Sequence, residues 1–305
     1  MRRLLIYCDG GFGNRFNALV SGLVMARLLD LDPVVVWPVN NWCGAAYGEL
    51  FENKLQVAER ELVSFMPERS HYQYLIVEDR LGLADTWVSP LHLNSVQDLH
   101  AQAARSTQDI FYYTALIPPC VPADAVAAQV RALRLRREIV ACADSFLQTA
   151  QIGRQAGDFV GVHIRKTDFG SHGADDQQLF ELVRRCPQQR FFVCSDDKAV
   201  EQRFGTLPNV VVFGKRAHVE MRVAGDWNSL NTDHSGREYA FNVRRSGASV
   251  QDAVVDLLIL SRSQIVKTSN STFLNTALLL QQAAHVALAP APAPISASGS
   301  VAQAA

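Results

Sequence analysis

One segment of the chain places two cations where an α/β sheet would bind a ligand. Residues 159–168 read Phe-Val-Gly-Val-His-Ile-Arg-Lys-Thr-Asp, an apolar run that predicts a buried strand followed by Arg165 and Lys166. Open α/β sheets bind ligands beyond the carboxyl ends of their strands. The planar guanidinium of Arg165 fits a phosphate through two parallel hydrogen bonds, and Lys166 adds a point charge. The pattern predicts a phosphate clamp; the alternative is a solvent-facing ion pair with Asp168.

A glycine-rich turn near the start of the chain is a second candidate site. Residues 10–14 read Gly-Gly-Phe-Gly-Asn and join a predicted strand to a predicted helix. Backbone amides at a helix N-terminus can bind an anion, which makes Gly11, Gly13 and Asn14 candidate ligand contacts. A nicotinamide cofactor is disfavoured, because Phe16 stands where the dinucleotide fingerprint requires its third glycine. The alternative is that these glycines only permit a sharp turn.

Acidic residues end another predicted strand. The segment Cys-Ser-Asp-Asp at 194–197 should lie at the same sheet edge as Arg165, because carboxyl ends of parallel strands share an edge. One carboxylate can accept the ring N–H and the amino group of a guanine together. Asp196 and Asp197 are therefore candidates for binding a base; the alternative is that one of them caps the helix that begins at Lys198.

A hydroxyl-rich segment joins a later strand to a helix. Residues 267–273 read Lys-Thr-Ser-Asn-Ser-Thr-Phe. Hydroxyl groups together with helix amides suit a phosphate, so Ser271 and Thr272 are candidate ligand contacts. Ordinary capping of the helix by Ser271 or Asn270 would explain one of these residues, but hardly the whole group.

The elements around these segments predict an α/β fold with two Rossmann-like domains facing across a cleft. Strands over 4–9 and 33–37, joined by a helix over 15–30, predict a parallel pair. The stretch 122–152, which contains no glycine or proline after Pro122, predicts one long helix between the domains. Strands and helices then alternate to a final strand over Val286–Ala289, which predicts a second parallel sheet.

The expected domain boundaries follow from this pattern. We expect an N-terminal α/β domain over 1–121 on the acceptor side, the connecting helix over 122–152 and a nucleotide-sugar-binding α/β domain over 153–289. Residues 290–305 are rich in Pro, Ala and Ser and contain no aromatic or charged residue, so we expect them to be disordered.

The composition excludes several classes of protein. Lys and Arg total 29 against 30 Asp and Glu, a net charge of -1, so no basic field favours nucleic acid. The six cysteines include no C-x-x-C pair, which argues against a zinc site or a disulfide scaffold. No segment is long and apolar enough for a signal-peptide core or a transmembrane span, so a cytoplasmic protein is expected.

Four of these segments resemble the fucosyltransferases that share a His-x-Arg-Arg-x-Asp motif, among them the nodulation, core α1,6-, α1,2- and protein-O-fucosyltransferases. Residues 161–168 are similar to the motif, and Gly11–Arg15 are similar to the Gly-x-Gly-Asn turn of several members. Residues 192–197 and 256–273 resemble two later blocks. Lys166 replaces the second arginine of the motif, which keeps the charge but loses the fork.

The resemblance implies a GT-B-like fold, GDP-fucose as the donor substrate, inversion at the anomeric carbon, and no cofactor or divalent metal. Arg165 would hold the β-phosphate of the donor, and His163 would shape the loop around it. The acceptor would be a glycan or another molecule with a hydroxyl group.

The resemblance also implies the remaining donor contacts. Asp196 or Asp197 would bind the guanine, Ser271 and Thr272 the phosphates, and Asn14 would contact the donor from the other domain. Two alternatives stay open: a glycosyltransferase that uses another nucleotide sugar, and an inactive nucleotide- or glycan-binding protein of the same fold.

Inversion requires a base that takes the proton of the attacking hydroxyl. The candidates are Asp168, His172, Asp226 and Glu238. Asp168 is favoured because it belongs to the motif, and the alternative is that it orients Arg165 through an ion pair.

Overall fold

The described residues form two main β-sheets with helices packed between them, and a third sheet of two short strands. The computed structural model describes residues 2–58, 75–77, 87–88, 92–105, 107, 109–153, 158–167, 176–227, 231–232, 238–239 and 242–288. Within these residues, no helix is both long and apolar enough to cross a membrane. The predicted tail, 290–305, lies outside the described residues.

The first sheet is formed by the N-terminal half of the chain. Its strand order is β3-β2-β1-β6-β4-β5. The first four strands in this order pair in parallel, and β4 pairs antiparallel with both of its neighbours, β6 and β5. The elements of this half are β1 (Arg3–Tyr7), α1 (Phe12–Leu28), β2 (Asp32–Val36), α2 (Tyr47–Leu50), β3 (Val57–Ala58), β4 (Leu75–Val77), β5 (Trp87–Val88), α3 (Val96–Ala103), β6 (Ile110–Tyr113), α4 (Ala123–Ala132) and α5 (Arg137–Ala150).

The second sheet is parallel throughout, in the order β12-β7-β8-β9, and β10 and β11 form a short antiparallel ladder. The elements of this half are β7 (Val160–Ile164), α6 (Asp176–Arg184), β8 (Phe191–Ser195), α7 (Lys198–Phe204), β9 (Val210–Val211), β10 (Asn231–Thr232), β11 (Glu238–Tyr239), α8 (Gly247–Leu260), β12 (Gln264–Val266) and α9 (Thr272–Leu288).

Helices from both halves share one apolar core. Helix α1 packs against α4 and α9, and α5 packs against α8. The buried apolar cluster runs from Leu4 and Ile6 of β1 to Phe192 and Cys194 of β8 without interruption. Burial of this surface stabilises the two halves together, because apolar area is removed from water on both sides of the shared helices. The domain boundaries expected from the sequence stay a prediction.

The structure confirms the α/β class and the parallel pair of β1 and β2, and corrects one helix. The single helix expected over 122–152 is wrong, because α4 ends at Ala132 and α5 begins at Arg137. Residues between them pair with a distant segment: the amide of Arg134 donates to Asn53 Oδ1 at 2.6 Å, and the amide of Arg136 donates to the carbonyl of Leu50 at 2.9 Å. These long-range hydrogen bonds replace those that a continuous helix would form.

The final strand, expected over Val286–Ala289, is also wrong. Residues 286–288 continue α9, and Ala289 lies outside the described residues. Neither glycine nor proline interrupts α9 after Thr272, and the first proline beyond it is Pro290. With no breaker in the segment, helix propagation extends through its last turn.

Candidate functional site

Three polar segments lie side by side at the carboxyl edge of the second sheet. In the strand register, His163 of β7 is opposite Cys194 of β8, and Val162 is opposite Val266 of β12. Arg165, Asp196 and Lys267 therefore follow three neighbouring strands on the same edge. This is the edge where open α/β sheets bind ligands.

The glycine turn of the first half lies against the hydroxyl-rich segment of the second half. A Cβ atom on Gly13 would lie 2.8 Å from both the carbonyl carbon and oxygen of Thr272, and 2.9 Å from the amide nitrogen of Phe273. Only a glycine permits this contact between the first turns of α1 and α9. A Cβ on Gly11 would meet nothing within 4 Å, so the neighbouring side of the turn is open.

Arg15, which follows this turn, braces the fold. It is fully buried, and its guanidinium donates to the carbonyls of Gly10 at 2.7 Å and Pro38 at 2.6 Å and to Asn40 Oδ1 at 3.0 Å. Its guanidinium carbon also lies 5.2 Å from the ring centroid of Trp37. These contacts fix the position of the glycine turn. Asn14, the last residue of this segment, is half-buried in the first turn of α1.

His163 joins β7 to the start of α9. Its ring is buried and stacks on Phe273 with the centroids 4.6 Å apart, and its carbonyl accepts from Thr268 Oγ1 at 2.5 Å. Burial, together with the nearby charge of Arg165, lowers the pKa of His163 to about 3, so the ring is neutral at pH 7. Its Nδ1 is buried and has no hydrogen-bond partner among the described residues.

The two predicted acids have different roles in the structure. Asp197 is the N-cap of α7 and accepts from the amide of Ala199 at 2.7 Å, which matches the capping alternative. Asp196 accepts from the amide of Lys166 at 2.8 Å, from the amide of Thr167 at 3.4 Å and from the hydroxyl of Thr167. Asp196 therefore holds the loop that follows β7 and begins with Arg165.

The two cations of that loop differ in their surroundings. Arg165 is half-buried at the sheet edge, whereas Lys166 is exposed and its ammonium lies 2.9 Å from Asp176 Oδ1 at the start of α6. The hydrogen bond from Lys166 is the main cause that lowers the pKa of Asp176. Lys166 thus neutralises an acid of this chain, and its expected phosphate contact stays a prediction.

Ser271 caps α9. Its Oγ accepts from the amide of Leu274 at 3.2 Å, and its carbonyl accepts from the amide of Asn275 at 3.0 Å. The capping alternative thus accounts for the Ser271 hydroxyl. The expected phosphate contacts of Ser271 and Thr272 stay a prediction.

A buried group of charges lies at the carboxyl end of β8, and the sequence did not predict it; we call it the Lys215 cluster. It consists of Lys215, Glu201, Asp256 and His218. The ammonium of Lys215 pairs with Glu201 Oε1 and lies 2.8 Å from Asp256 Oδ2, and His218 Nε2 lies 2.9 Å from Glu201 Oε2. One signal existed: Asp256 is the lone acid in the apolar run 254–260.

Asp256 is the least compensated member of the Lys215 cluster. Burial raises its pKa to about 7, although Lys215 acts in the opposite direction. The neighbouring charge of Glu201 raises the pKa of Asp256 further, because two buried carboxylates share the single ammonium of Lys215. Its Oδ1 is buried and lacks a hydrogen-bond partner in the part of the chain that the structure describes.

The candidates for a catalytic base are only partly placed. Asp168 and His172 lie outside the described residues. Asp226 is exposed on a loop that Asn242 holds, and Glu238 pairs with Thr232 in the β10–β11 ladder. Over the described ranges, no group of three His, Cys, Asp or Glu side chains is arranged to hold a metal ion.

The buried His163 should make stability depend on pH. In the unfolded chain its pKa is about 6.5, so as the pH falls the unfolded state takes up the proton first. The contribution of the neutral ring to stability is complete above pH 6.5 and is lost as the pH falls toward 3. Between pH 6.5 and 4.5 this amounts to at most about 2.7 kcal/mol.

Urea unfolding of wild type and His163→Gln at several pH values measures this contribution. The difference between the two free energies of unfolding should fall with decreasing pH over this range, because glutamine does not titrate. A difference that is independent of pH would contradict the assignment of a buried, neutral His163.

Comparison with known proteins gives the fold. No family model and no curated protein sequence matches this chain. NodZ α-1,6-fucosyltransferase soaked with GDP-fucose is similar over 92% of both chains, with 17% identity and a TM-score of 0.54. Fucosyltransferase NodZ from Bradyrhizobium is similar over 92% of this chain and 93% of that chain, with 16% identity and a TM-score of 0.52.

A plant structure has the same architecture. A mutant of Arabidopsis thaliana FUT1 in complex with GDP is similar over 92% of this chain and 69% of that chain, with 11% identity and a TM-score of 0.50. At these identities the likeness shows the fold alone. The chain has the α/β, GT-B-like fold of these fucosyltransferases, as the resemblance implied, and the arrangement of two domains across a cleft stays a prediction.

Proposed function

We propose that the chain is a glycosyltransferase that transfers fucose from GDP-fucose to a hydroxyl group of a glycan or another acceptor. The observation that carries this proposal is the contact of Gly13 with Thr272, which joins two helix N-termini beside the sheet edge of Arg165. Two helix N-termini and a guanidinium suit a diphosphate. The fold likeness to structures that contain GDP or GDP-fucose supports the same donor.

In the proposed reaction, the acceptor hydroxyl attacks the anomeric carbon on the face opposite the diphosphate. The new bond to the acceptor oxygen forms as the bond to the β-phosphate oxygen breaks, which inverts the configuration. Arg165 and the helix N-termini stabilise the negative charge that develops on GDP. A base takes the hydroxyl proton; Asp168 remains the proposed base, and the reaction is proposed to need no divalent metal.

Release of GDP from GDP-fucose, with and without a chelator, tests this proposal. We expect water to take the place of the acceptor in a slow hydrolysis, so the assay does not require the natural acceptor. We expect release that is insensitive to the chelator, and binding of GDP in preference to UDP by calorimetry. A chain that binds neither GDP nor GDP-fucose would contradict the proposal.

We propose that Asp256 and His163, rather than Asp196 or Asp197, bind the guanine base of the donor. Asp197 already caps α7, and Asp196 already holds the loop of Lys166 and Thr167. The buried Asp256 Oδ1 and His163 Nδ1 have no hydrogen-bond partners among the described residues, and the ammonium of Lys215 affects the pKa of both. A base that hydrogen-bonds these atoms would offset the cost of burying them.

GDP and IDP, which lacks the guanine amino group, distinguish the acids. A carboxylate that accepts from guanine should be worth about 1.5–3 kcal/mol, so Asp256→Asn should weaken GDP about ten- to a hundredfold and abolish the preference for GDP over IDP. Asp196→Asn should weaken both nucleotides equally, because it disturbs the loop of Arg165. The opposite pattern, measured by calorimetry, would return the guanine contact to Asp196.

An inactive nucleotide-binding protein of the same fold is the second candidate function. The observation in its favour is the ion pair of Lys166 with Asp176, which neutralises the cation in the place of the second arginine of the motif. Binding of GDP-fucose without release of GDP, under conditions in which the protein stays folded, would support this alternative.

A further inference from the structure

The Lys215 cluster holds the last residue of β8 from two sides. The ammonium of Lys215 donates to the carbonyl of Ser195 at 2.5 Å, and the amide of Ser195 donates to Glu201 Oε1 at 2.8 Å. The same two side chains pair with each other. Both backbone polar groups of Ser195 are thus fixed by one buried ion pair, so the direction in which the chain leaves β8 is determined there.

The next residue transmits this position to the candidate clamp. Asp196 follows Ser195 directly, and its carboxylate accepts from the amide of Lys166, the amide of Thr167 and the hydroxyl of Thr167. These two residues immediately follow Arg165. The contacts therefore run without a gap from Lys215 through Ser195 and Asp196 to the loop that begins with Arg165.

Lys215 is itself held in place. The amides of the next two residues, Arg216 and Ala217, donate to Asp252 Oδ2 of α8 at 2.6 and 3.3 Å. The three donors of its ammonium match three acceptors, on Ser195, Glu201 and Asp256. Lys215 thus ties the loop after β9 and α8 to the end of β8.

Stability alone gives no reason for a lysine here. Its side chain is 6% exposed, and replacing a buried ion pair by apolar residues of similar volume is often neutral or stabilising. A buried ammonium does supply directed hydrogen bonds to a backbone carbonyl and to two carboxylates at once, which an apolar side chain cannot. Geometry is the property that a replacement would lose.

We propose that Lys215 is a positioning residue, which fixes the end of β8 so that Asp196 holds the loop of Arg165 in the geometry that binds the donor diphosphate. This inference rests on the proposed function, since it requires that Arg165 binds the donor diphosphate. Lys215 is not assigned a contact with the donor. It reaches the loop of Arg165 through Ser195 and Asp196, and exchange of the Lys166 and Thr167 amides reports this path separately from the ion pair of Lys215 with Asp256.

Lys215→Met tests the proposal, with Asn209→Ala as a matched control. Asn209 is also buried and polar, and its Nδ2 donates to the carbonyls of Val183, Cys186 and Gln189 before β9, at the opposite end of the same sheet. If the single change does not fold, Lys215→Met with Glu201→Met is the second variant. It removes the ion pair at Ser195 and leaves only Asp256, which can take up a proton because burial raises its pKa to about 7.

Two measurements are made on each folded variant: the Kd of GDP by calorimetry, and hydrogen exchange of the amides of Lys166 and Thr167 in the absence of ligand. We expect Lys215→Met, or the double variant, to raise the Kd at least about tenfold and to speed exchange of these amides at least about tenfold. Asn209→Ala should lower the melting temperature while leaving both quantities unchanged.

The outcomes separate the two claims. If wild type binds GDP and the Lys215 variants bind it equally well, or if the amides of Lys166 and Thr167 stay protected, the positioning role is wrong. If wild type does not bind GDP, the proposed function fails, and hydrogen exchange alone decides whether Lys215 positions the loop.

Discussion

Arg165→Ala should lower GDP-fucose turnover at least about a hundredfold. Removing one preorganised donor that stabilises developing charge costs on the order of 100- to 1,000-fold in other enzymes, and a guanidinium at the β-phosphate has this role in the proposed reaction. We expect the Kd of GDP to rise as well, because the product carries the full charge. Global stability should change little, since Arg165 is half-buried at the edge of the sheet.

Two further substitutions define the cause of the loss. Arg165→Lys keeps the charge but loses the planar fork, so it should restore only part of the activity. Arg184→Ala removes an exposed arginine of α6 that pairs with Glu181 and should leave turnover within twofold of wild type. GDP release and GDP calorimetry measure these effects, and an Arg165→Ala variant with near-normal turnover would overturn the phosphate clamp.

Local sequence patterns predicted the three strands that border the candidate site, because β7, β8 and β12 are short, largely apolar and followed by a polar segment. β7 ends at Ile164, directly before Arg165 as predicted, and α7 begins at Lys198, where the sequence predicted the start of a helix. Once the strands are parallel, the shared edge of Arg165, Asp196 and Lys267 follows from topology. This part of the candidate site could therefore be predicted from local sequence patterns and from the rule that the carboxyl ends of parallel strands share one edge of the sheet.

Contacts between distant residues could not be predicted in the same way. The break between α4 and α5 arises from hydrogen bonds between residues 134–136 and 50–53. Residues 133–136 contain no glycine or proline that would predict it. The Lys215 cluster joins residues from a loop and two helices, each of which is unremarkable in sequence apart from Asp256. Such groups become visible only when the tertiary structure brings them together.

The glycine turn combines both kinds of information. The sequence predicted a tight turn over residues 10–14 before a helix over 15–30. Gly10 does adopt a positive φ of 78°, but α1 already begins at Phe12, so Gly13 and Asn14 lie in its first turn. It could not show that Gly13 touches the backbone of Thr272, more than 250 positions away, because that contact depends on how α1 packs on α9. The reason for glycine at 13 is therefore tertiary.

Gly13→Ala should impair both stability and turnover. The new methyl group would lie 2.8 Å from the carbonyl carbon and oxygen of Thr272, and because these are backbone atoms, the helices must separate. Such overpacking costs about 1–3 kcal/mol, against a gain of about 0.5–1 kcal/mol from replacing a helical glycine. If the two N-termini bind the diphosphate together, a shift of about 1 Å should reduce turnover about a hundredfold.

Gly48→Ala is the matched control, since Gly48 lies in α2 and a Cβ there would meet nothing within 4 Å. It should keep wild-type turnover and at least wild-type stability, because alanine favours a helix more than glycine does. Chemical unfolding and GDP release are measured on both variants. A stable, fully active Gly13→Ala variant would mean that the contact of α1 with α9 does not form the donor site, whereas loss of turnover in the fraction that remains folded would tie the two halves of the chain to one diphosphate.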